Sequence, residues 1–394
     1  MRAAGAAGAP IAEIFWVFLS LGLTSFGGPV AHLGYFRREF VDRRLWLTEP
    51  DYASILALCQ FLPGPASSQT GFCIGLVRGG WRGGLAAWVG FTLPSALLMF
   101  LVAEGAGAFN RSRIGHDILH GLQLAAIAVV AQAVWTMARS LCPDAPRRVL
   151  AVVSLLVVAI SPGLGGQLLV LVIGALAGRA LLTPPPPTGA DAAPPISRRH
   201  GLLCLVAFFA LLLFALALRG QGAIGLFDAF YRAGALVFGG GHVVLPLLRA
   251  AIVAPGWVSP AAFLTGYGAA QAMPGPLFTV AAYLGAIAAA GPHGLAGASI
   301  ALVAIFLPGL LLVAGILPFW HTLKQKSAIA AAVLGLNAAV VGLLAYALLS
   351  LILLGGVHGV FDILIVVLAY LALTLRRTPP IIVVGACALA AIIF

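Results

Sequence analysis

The sequence predicts an all-α polytopic membrane protein, built as two homologous halves in inverted topology with broken or re-entrant helices. Three observations predict it. The chain of 394 residues is 62% hydrophobic and only 8% charged, whereas a soluble domain carries roughly 25% charged residues. A short phrase unfit for an unbroken helix occurs twice, QFLPGP at 60–65 and QAMPGP at 271–276. Arginines, finally, gather on different connectors in the two halves.

Apolar runs of about 20 residues recur along the whole chain, the length that a helix needs to cross a bilayer. A β-barrel would show dyad alternation instead of continuous apolarity. The apolar N-terminal segment is not read as a signal peptide, because Glu13 interrupts it and no small-residue cleavage site follows. The formal net charge is +11. In a membrane chain this reads as the positive-inside bias of loops, or as a cationic path for an anion; no nucleic-acid partner is needed. Cys59, Cys73, Cys142, Cys204 and Cys387 form no CxxC pair and have no metal-ligand spacing. They read as small apolar helix residues. No motif for a cofactor or a metal is visible, and none is expected.

The first repeat spans 1–182, a proline-rich linker 183–200, a topology-inverting helix 201–222 and the second repeat 223–394. Gln60 and Gln271 lie 271 − 60 = 211 positions apart, as do Pro63 and Pro274, Gly64 and Gly275, and Pro65 and Pro276. SFGGPVAHL (25–33) matches VFGGGHVVL (237–245), Trp46 matches Trp257, and FTLPSALL (91–98) matches IFLPGLLL (305–312). Several ordered matches at nearly one offset mean an internal duplication. The linker, TPPPPTGADAAPPISRRH, reads as a stiff exposed connector.

Positive loops mark the cytoplasm. Arg37, Arg38, Arg43, Arg44, Arg78 and Arg82 flank the first PGP phrase, and the matching stretches of the second half hold Arg249 alone. Later the bias reverses, with Arg376 and Arg377 opposite the uncharged SPGLGG. The halves are therefore expected in opposite orientation, with the N-terminus, Arg43 and Lys324 cytoplasmic and Phe394 outside. Arg111 and Arg113 fit this badly, because they would lie outside. Trp46 and Trp257 fit interface anchors.

Two prolines around a glycine remove backbone donors and break a helix. Inside lipid such a break must be buried in protein or line a water-filled cavity. In two halves of one chain it points to a transporter's binding site. Residues 52–62 and 66–77 make roughly 17 Å of helix each, short of the roughly 30 Å core. Either one kinked helix spans, or a re-entrant hairpin carries PGP at its tip. The same choice applies around Phe26, Gly27, Gly28 and Pro29, and around Gly239, Gly240 and Gly241. Hairpins entering from opposite sides would bring these tips together near the midplane.

A broken helix leaves free N–H groups at the start of its second part, where an anion is favoured. Ser67, Ser68, Gln69 and Thr279 follow the breaks and add neutral donors; Gln60 and Gln271 precede them. Such a set would hold a tetrahedral oxyanion without a buried full charge. Gln60 and Gln271 serve equally as staples that hydrogen-bond across the break. His32 and His242 are read as proton relay or anion contact, or as neutral histidines on a carbonyl. Glu39 and Asp42 read as loop salt bridges, Glu104, His116, Asp117 and His120 as interfacial, and Asp228 with Arg232 as a helix-face ion pair.

SFGGPVAHLGYFRREFV, WLTEPDYASILALCQFLPGPASSQTGFCIG and FTLPSALL together resemble the chromate ion transporter family. The second copy, FGGGHVVLPLL and WVSPAAFLTGYGAAQAMPGPLFTVAAYLG, resembles the second domain of its long, two-domain members. The resemblance implies export of chromate across the cell inner membrane, conferring resistance and coupled to the proton gradient, with sulfate and molybdate as similar tetrahedral dianions. The expected partners are the oxyanion and the lipid bilayer; a homodimer is left open. A passive anion channel is one rival. A membrane-embedded reductase is another, but it needs a redox cofactor or clustered ligands, so no enzyme activity is expected.

Overall fold

The computed structural model describes residues 9–109, 113–184, 196–217, 220–238, 241–353, 357, 359–376 and 378–393. The described residues hold helices and turns and no strands. The first two elements are α1 (Ile11–Thr24) and α2 (Gly28–Arg37), which runs on into a π-helical turn, Arg38–Arg43. Their junction turns at Gly27 and Gly28, with φ of 98° and 76°. Glu13, at the start of α1, meets Arg44, just past the π turn, at 2.8 Å. The segment is therefore a hairpin with FGG at its tip.

The next segment repeats the device. α3 (Glu49–Phe61) starts on a Thr48 cap whose hydroxyl accepts from the Asp51 N–H, and it ends at the PGP break. α4 (Ala66–Phe109) follows, with non-helical backbone at Gly79 and Gly80. The Arg78 guanidinium lies 5.5 Å from the centroid of the Trp46 ring. A kinked spanning helix would hold those residues roughly 45 Å apart, so this segment too is a hairpin. After Gly80, α4 turns back and packs along α1, where Gly22 abuts the Phe91 carbonyl. Small residues permit such close approach between apolar helices.

α5 (Arg113–Leu141), α6 (Ala145–Ile160) and α7 (Leu164–Leu181) complete the first half, and α8 (Arg198–Ala217) follows the linker. The second half opens with α9 (Gly222–Ala235) and α10 (Val244–Leu248), again followed by a π turn, Arg249–Val253. α11 (Pro260–Ala272) then runs to the second PGP break, and a 3-10 turn, Leu277–Thr279, leads into α12 (Val280–Ile287). α3 and α11 are both 13 residues long, and Ser259 caps α11 as Thr48 caps α3. The Trp257 carbonyl accepts from the Ala289 N–H at 2.9 Å, closing this hairpin at the counterparts of Trp46 and Arg78. The remaining helices are α13 (Gly294–Ile316), α14 (Trp320–Lys324), α15 (Ser327–Leu351), α16 (Val360–Thr374) and α17 (Pro380–Ile393).

The halves interlock reciprocally at the tips. The Gly64 N–H donates to Val237 O at 2.7 Å, and the Gly275 N–H donates to Ser25 O at 2.9 Å. Each PGP tip thus bonds the residue before the FGG break of the other half. Gly234 abuts the Ile305 carbonyl as Gly22 abuts that of Phe91. Each of these contacts is thus matched by the equivalent contact from the other half.

Five helices among the described residues are long and apolar enough to cross a membrane. With the broken hairpins between them, the chain is a multi-pass membrane protein. His32 is buried and its Nε2 meets Ser25 O at 3.2 Å. Glu39 pairs with Arg43 and Arg44, and Asp42 with Arg37, as loop salt bridges. His120 is not merely interfacial, since it contacts Asp362 at 3.0 Å. Asp228, expected in a helix-face ion pair with Arg232, is buried, beside the Gly220 backbone and within electrostatic reach of Arg232. Arg232 donates to Ala215 O at 3.2 Å, on the preceding helix. Gly239 and Gly240 lie outside the described residues.

Candidate functional site

A cavity of about 980 Å³ lies against the tips. Its wall takes Phe26, Gly27 and Gly28 from the first half, and His242 and Gln271 from the second. Gln132, Thr136, Arg139 and Ser140 of α5 line it, as does Thr378 before α17. The polar groups are placed by the fold. Gln271 lies on the last turn of α11, just before the break. Its Nε2 is buried, and its amide lies beside the Tyr267 hydroxyl. His242 sits in the short turn before α10, and its Nδ1 meets the Tyr267 hydroxyl at 2.7 Å.

Arg139 supplies a positive charge to the wall, with its guanidinium 5.8 Å from the centroid of the Trp135 ring. Both residues are exposed. The other polar groups of the wall are neutral amides, hydroxyls and an imidazole. An exposed cation beside neutral donors can attract a dianion without trapping it.

The other expected ligands are placed differently. Gln60 is exposed and does not line this cavity. Ser67, Ser68, Gln69 and Thr279 are buried behind the tips. Gln69 donates from Nε2 to Pro63 O at 2.9 Å and to Gly309 O at 3.2 Å. Thr279 donates to Pro276 O at 2.7 Å. These two therefore staple the breaks, the role that the sequence offered to Gln60 and Gln271. The Ser68 hydroxyl remains buried without a partner. Pro29 lies in the first turn of α2. Pro63 is half-buried, and Gly64, Pro65, Pro274, Gly275, Pro276 and Gly241 are buried, all as backbone of the tips.

Sequence reasoning missed Gln132, Thr136, Arg139 and Ser140. The signal was present: polar residues at steps of 4, 3 and 1 mark one face of the apolar α5. Tyr267 was missed because nothing local singles out a tyrosine in an apolar helix.

Comparison with known proteins fits this architecture. The sequence profile of the family described as chromate transporter matches residues 12–179 and 224–392, one stretch in each half. A probable chromate transport protein of Synechococcus elongatus is 29% identical over 383 residues, covering 96% of this chain and 94% of that protein. A chromate transport protein of Cupriavidus metallidurans is 28% identical over 386 residues, covering 95% and 91%. One from Pseudomonas aeruginosa is 31% identical over 305 residues, covering 75% and 70%. No solved structure matches the chain. With its duplicated FGG and PGP breaks interlocked and both halves matched, the chain belongs to the chromate transporter family.

Proposed function

We propose that the protein exports chromate, or a closely related tetrahedral oxyanion, from the cytoplasm through alternating access coupled to the proton gradient. In a cell this would confer chromate resistance from the inner membrane. The observation that carries the reading is the cavity at the tips, whose wall combines the exposed Arg139 with the buried Nε2 of Gln271 and with His242. Substrate identity is drawn from relatives named as chromate transport proteins.

The two repeats, 1–182 and 223–394, lie in inverted topology on this reading, joined by the linker and by the helix of 201–222. Two supports come from different sources. The arginine bias places the open ends of the first-half hairpins, at Arg44 and Arg78, in the cytoplasm. Gly294, just past the open end of a second-half hairpin, faces Glu104 near the far end of α4. From Gly80 to Glu104 that helix rises roughly 36 Å, about one bilayer core. The cavity wall at Arg139 and Thr378 then faces the cytoplasm.

The deciding experiment is chromate uptake into inverted membrane vesicles, with and without an imposed pH gradient and with sulfate as competitor. Gradient-stimulated uptake that sulfate inhibits weakly is expected. Uptake that ignores the gradient would favour a passive channel, and stronger transport of sulfate would reassign the substrate. Reporter fusions after residues 44, 190, 325 and 394 test the topology. A cytoplasmic signal at 394 would refute the inversion.

A further inference from the structure

A second cavity, of about 370 Å³, lies in the second half between α9, the stretch after α10 and α7. Asp228 lines it and is 2% exposed. Both of its carboxylate oxygens are buried. The Gly220 backbone and the Arg232 guanidinium are its nearest polar company. Most of the wall is apolar, formed by residues such as Ala233, Leu236, Leu247, Ala251 and Pro255. The cavity ends at Trp257, whose carbonyl closes the open end of the adjacent hairpin.

We infer that Asp228 is the proton-binding group of this transporter, taking up and releasing a proton through its own cleft, separate from the anion cavity. The inference rests on the proton-coupled reading above and supplies the residue which that reading lacks. The chemistry favours a proton over a metal cation. A bare cation needs several oxygen ligands, whereas this wall offers one carboxylate and the Gln167 side chain, whose Nε2 already donates to Pro246 O. An ionised carboxylate with so little polar company, in a mostly apolar wall, is costly, and a bound proton removes the charge. In membrane proteins an intramembrane carboxylate is a proton-relay candidate by default.

The surroundings contain few competing charges. Arg232 is the other charged group lining the cleft among the described residues. Arg249, on the π turn packed against α9, lies within electrostatic reach of Tyr346 of α15 and does not line the cleft. α10 and α13, which also pack on α9, carry no titratable residue, and α8 carries Cys204 here, with Arg198, Arg199 and His200 at its far start. At the matching position of the first half, 228 − 212 = 16, stands Trp16, so the group has no twin. In the inverted topology this cleft opens to the outside and the anion cavity to the cytoplasm. A proton entering at Asp228 and leaving inward, down its gradient, would then drive an anion outward, both movements carrying positive charge into the cell.

The test uses the purified full-length protein in proteoliposomes, with two readouts. One is chromate accumulation driven by a pH gradient; the other is chromate–chromate exchange at equal pH, which needs no net proton movement. Asp228→Asn should lower gradient-driven accumulation by about tenfold while exchange persists. Asp228→Glu should restore part of the drive with a displaced pH profile. Equal gradient response in wild type and Asp228→Asn overturns the assignment and leaves proton coupling standing. Loss of exchange together with drive in a well-folded variant also overturns it. A wild type without any gradient response overturns the coupling reading itself, and this inference with it. Should Asp228→Asn fail to fold, a hydrophobic carbodiimide decides on the wild type, since it reacts with the protonated carboxyl. Labelling at Asp228 that declines as pH rises and blocks the drive supports the site; its absence overturns it.

Discussion

The tip regions of the two halves share a backbone and differ in chemistry. Both PGP glycines donate across to the other half, both first hairpins end in a π turn, and both second hairpins close at positions 211 residues apart. The side chains then diverge. Ala66, Ser67, Ser68 and Gln69 follow the first break, whereas Leu277, Phe278, Thr279 and Val280 follow the second. Tyr267, His242 and Gln271 of the second half face Leu56, Val30 and Gln60 of the first in the repeat alignment. Duplication supplied a pair of interlocked breaks, and divergence made only one face of that pair polar toward the cavity. The difference teaches that scaffold residues should matter equally in both halves, and site residues unequally.

The largest effects should come from the scaffold glycines. Gly64 has φ +126°, and an added Cβ would lie 2.7 Å from Gln69 Nε2 and 3.1 Å from Gly309 Cα. Gly275 has φ +92°, and its Cβ would lie 2.9 Å from Ser95 Oγ and 3.2 Å from Phe91 O. Sequence alone makes Gly275 the milder site, because apolar residues follow it. The geometry removes that distinction, since backbone blocks both positions and both conformations suit glycine. Gly64→Val and Gly275→Val should each abolish chromate export in a cell-based efflux assay, with protein still detectable in the membrane. Export retained by both would show that the crossed tip contacts are dispensable.

Next comes Arg139. It carries the positive charge in the wall of the anion cavity, and hydrogen bonds to charged groups contribute about 1.5–3 kcal/mol. Arg139→Gln should therefore weaken chromate uptake about tenfold or more, read as a raised half-saturation concentration in vesicles. Its effect should shrink at high ionic strength, where the attraction is screened. An unchanged half-saturation at low salt would move the entrance elsewhere.

The unequal pair of glutamines sharpens the comparison further. Gln271→Ala should cost about 0.5–1.5 kcal/mol of anion affinity, a several-fold loss. Gln60→Ala should be close to neutral, because Gln60 is exposed outside the cavity. Equal losses in the two variants would mean that the site straddles both halves symmetrically.

How far the sequence reached depends on the range of the physics. The hairpins were legible, because the spacing of broken, short apolar segments is local and the bilayer sets a length scale. The crossed bonds from Gly64 and Gly275 were not, because pairing between segments over 170 residues apart leaves no local trace. Gln69 reads as a ligand in the sequence and is a staple in the fold, since only the position of Gly309 decides where its amide points. Asp228 shows a related limit. The spacing of four from Arg232 favours a pair on a free helix face, but α8 also offers Arg232 a carbonyl. Arg139 is legible in principle, as part of a polar face on α5, but its distance in sequence from the breaks gives no local sign that it shares their cavity.

The smallest expected effect tests the scaffold equivalence itself. Thr48 and Ser259 cap α3 and α11 in the same way, accepting from the N–H three residues on at 3.3 and 3.2 Å. Losing such a cap costs about 1 kcal/mol. Thr48→Ala and Ser259→Ala should therefore lower the unfolding temperature in detergent alike, by roughly 2 °C or less in a protein of this size. The first should fall slightly further, because Thr48 also donates to the Asp51 carboxylate at 2.7 Å. Both caps lie on loops at the open ends of hairpins, far from the tips, so chromate affinity should not change in either variant. A clear loss of affinity in one alone would mean that the open end of that hairpin moves with the tip during transport. The halves would then differ in dynamics as well as in chemistry.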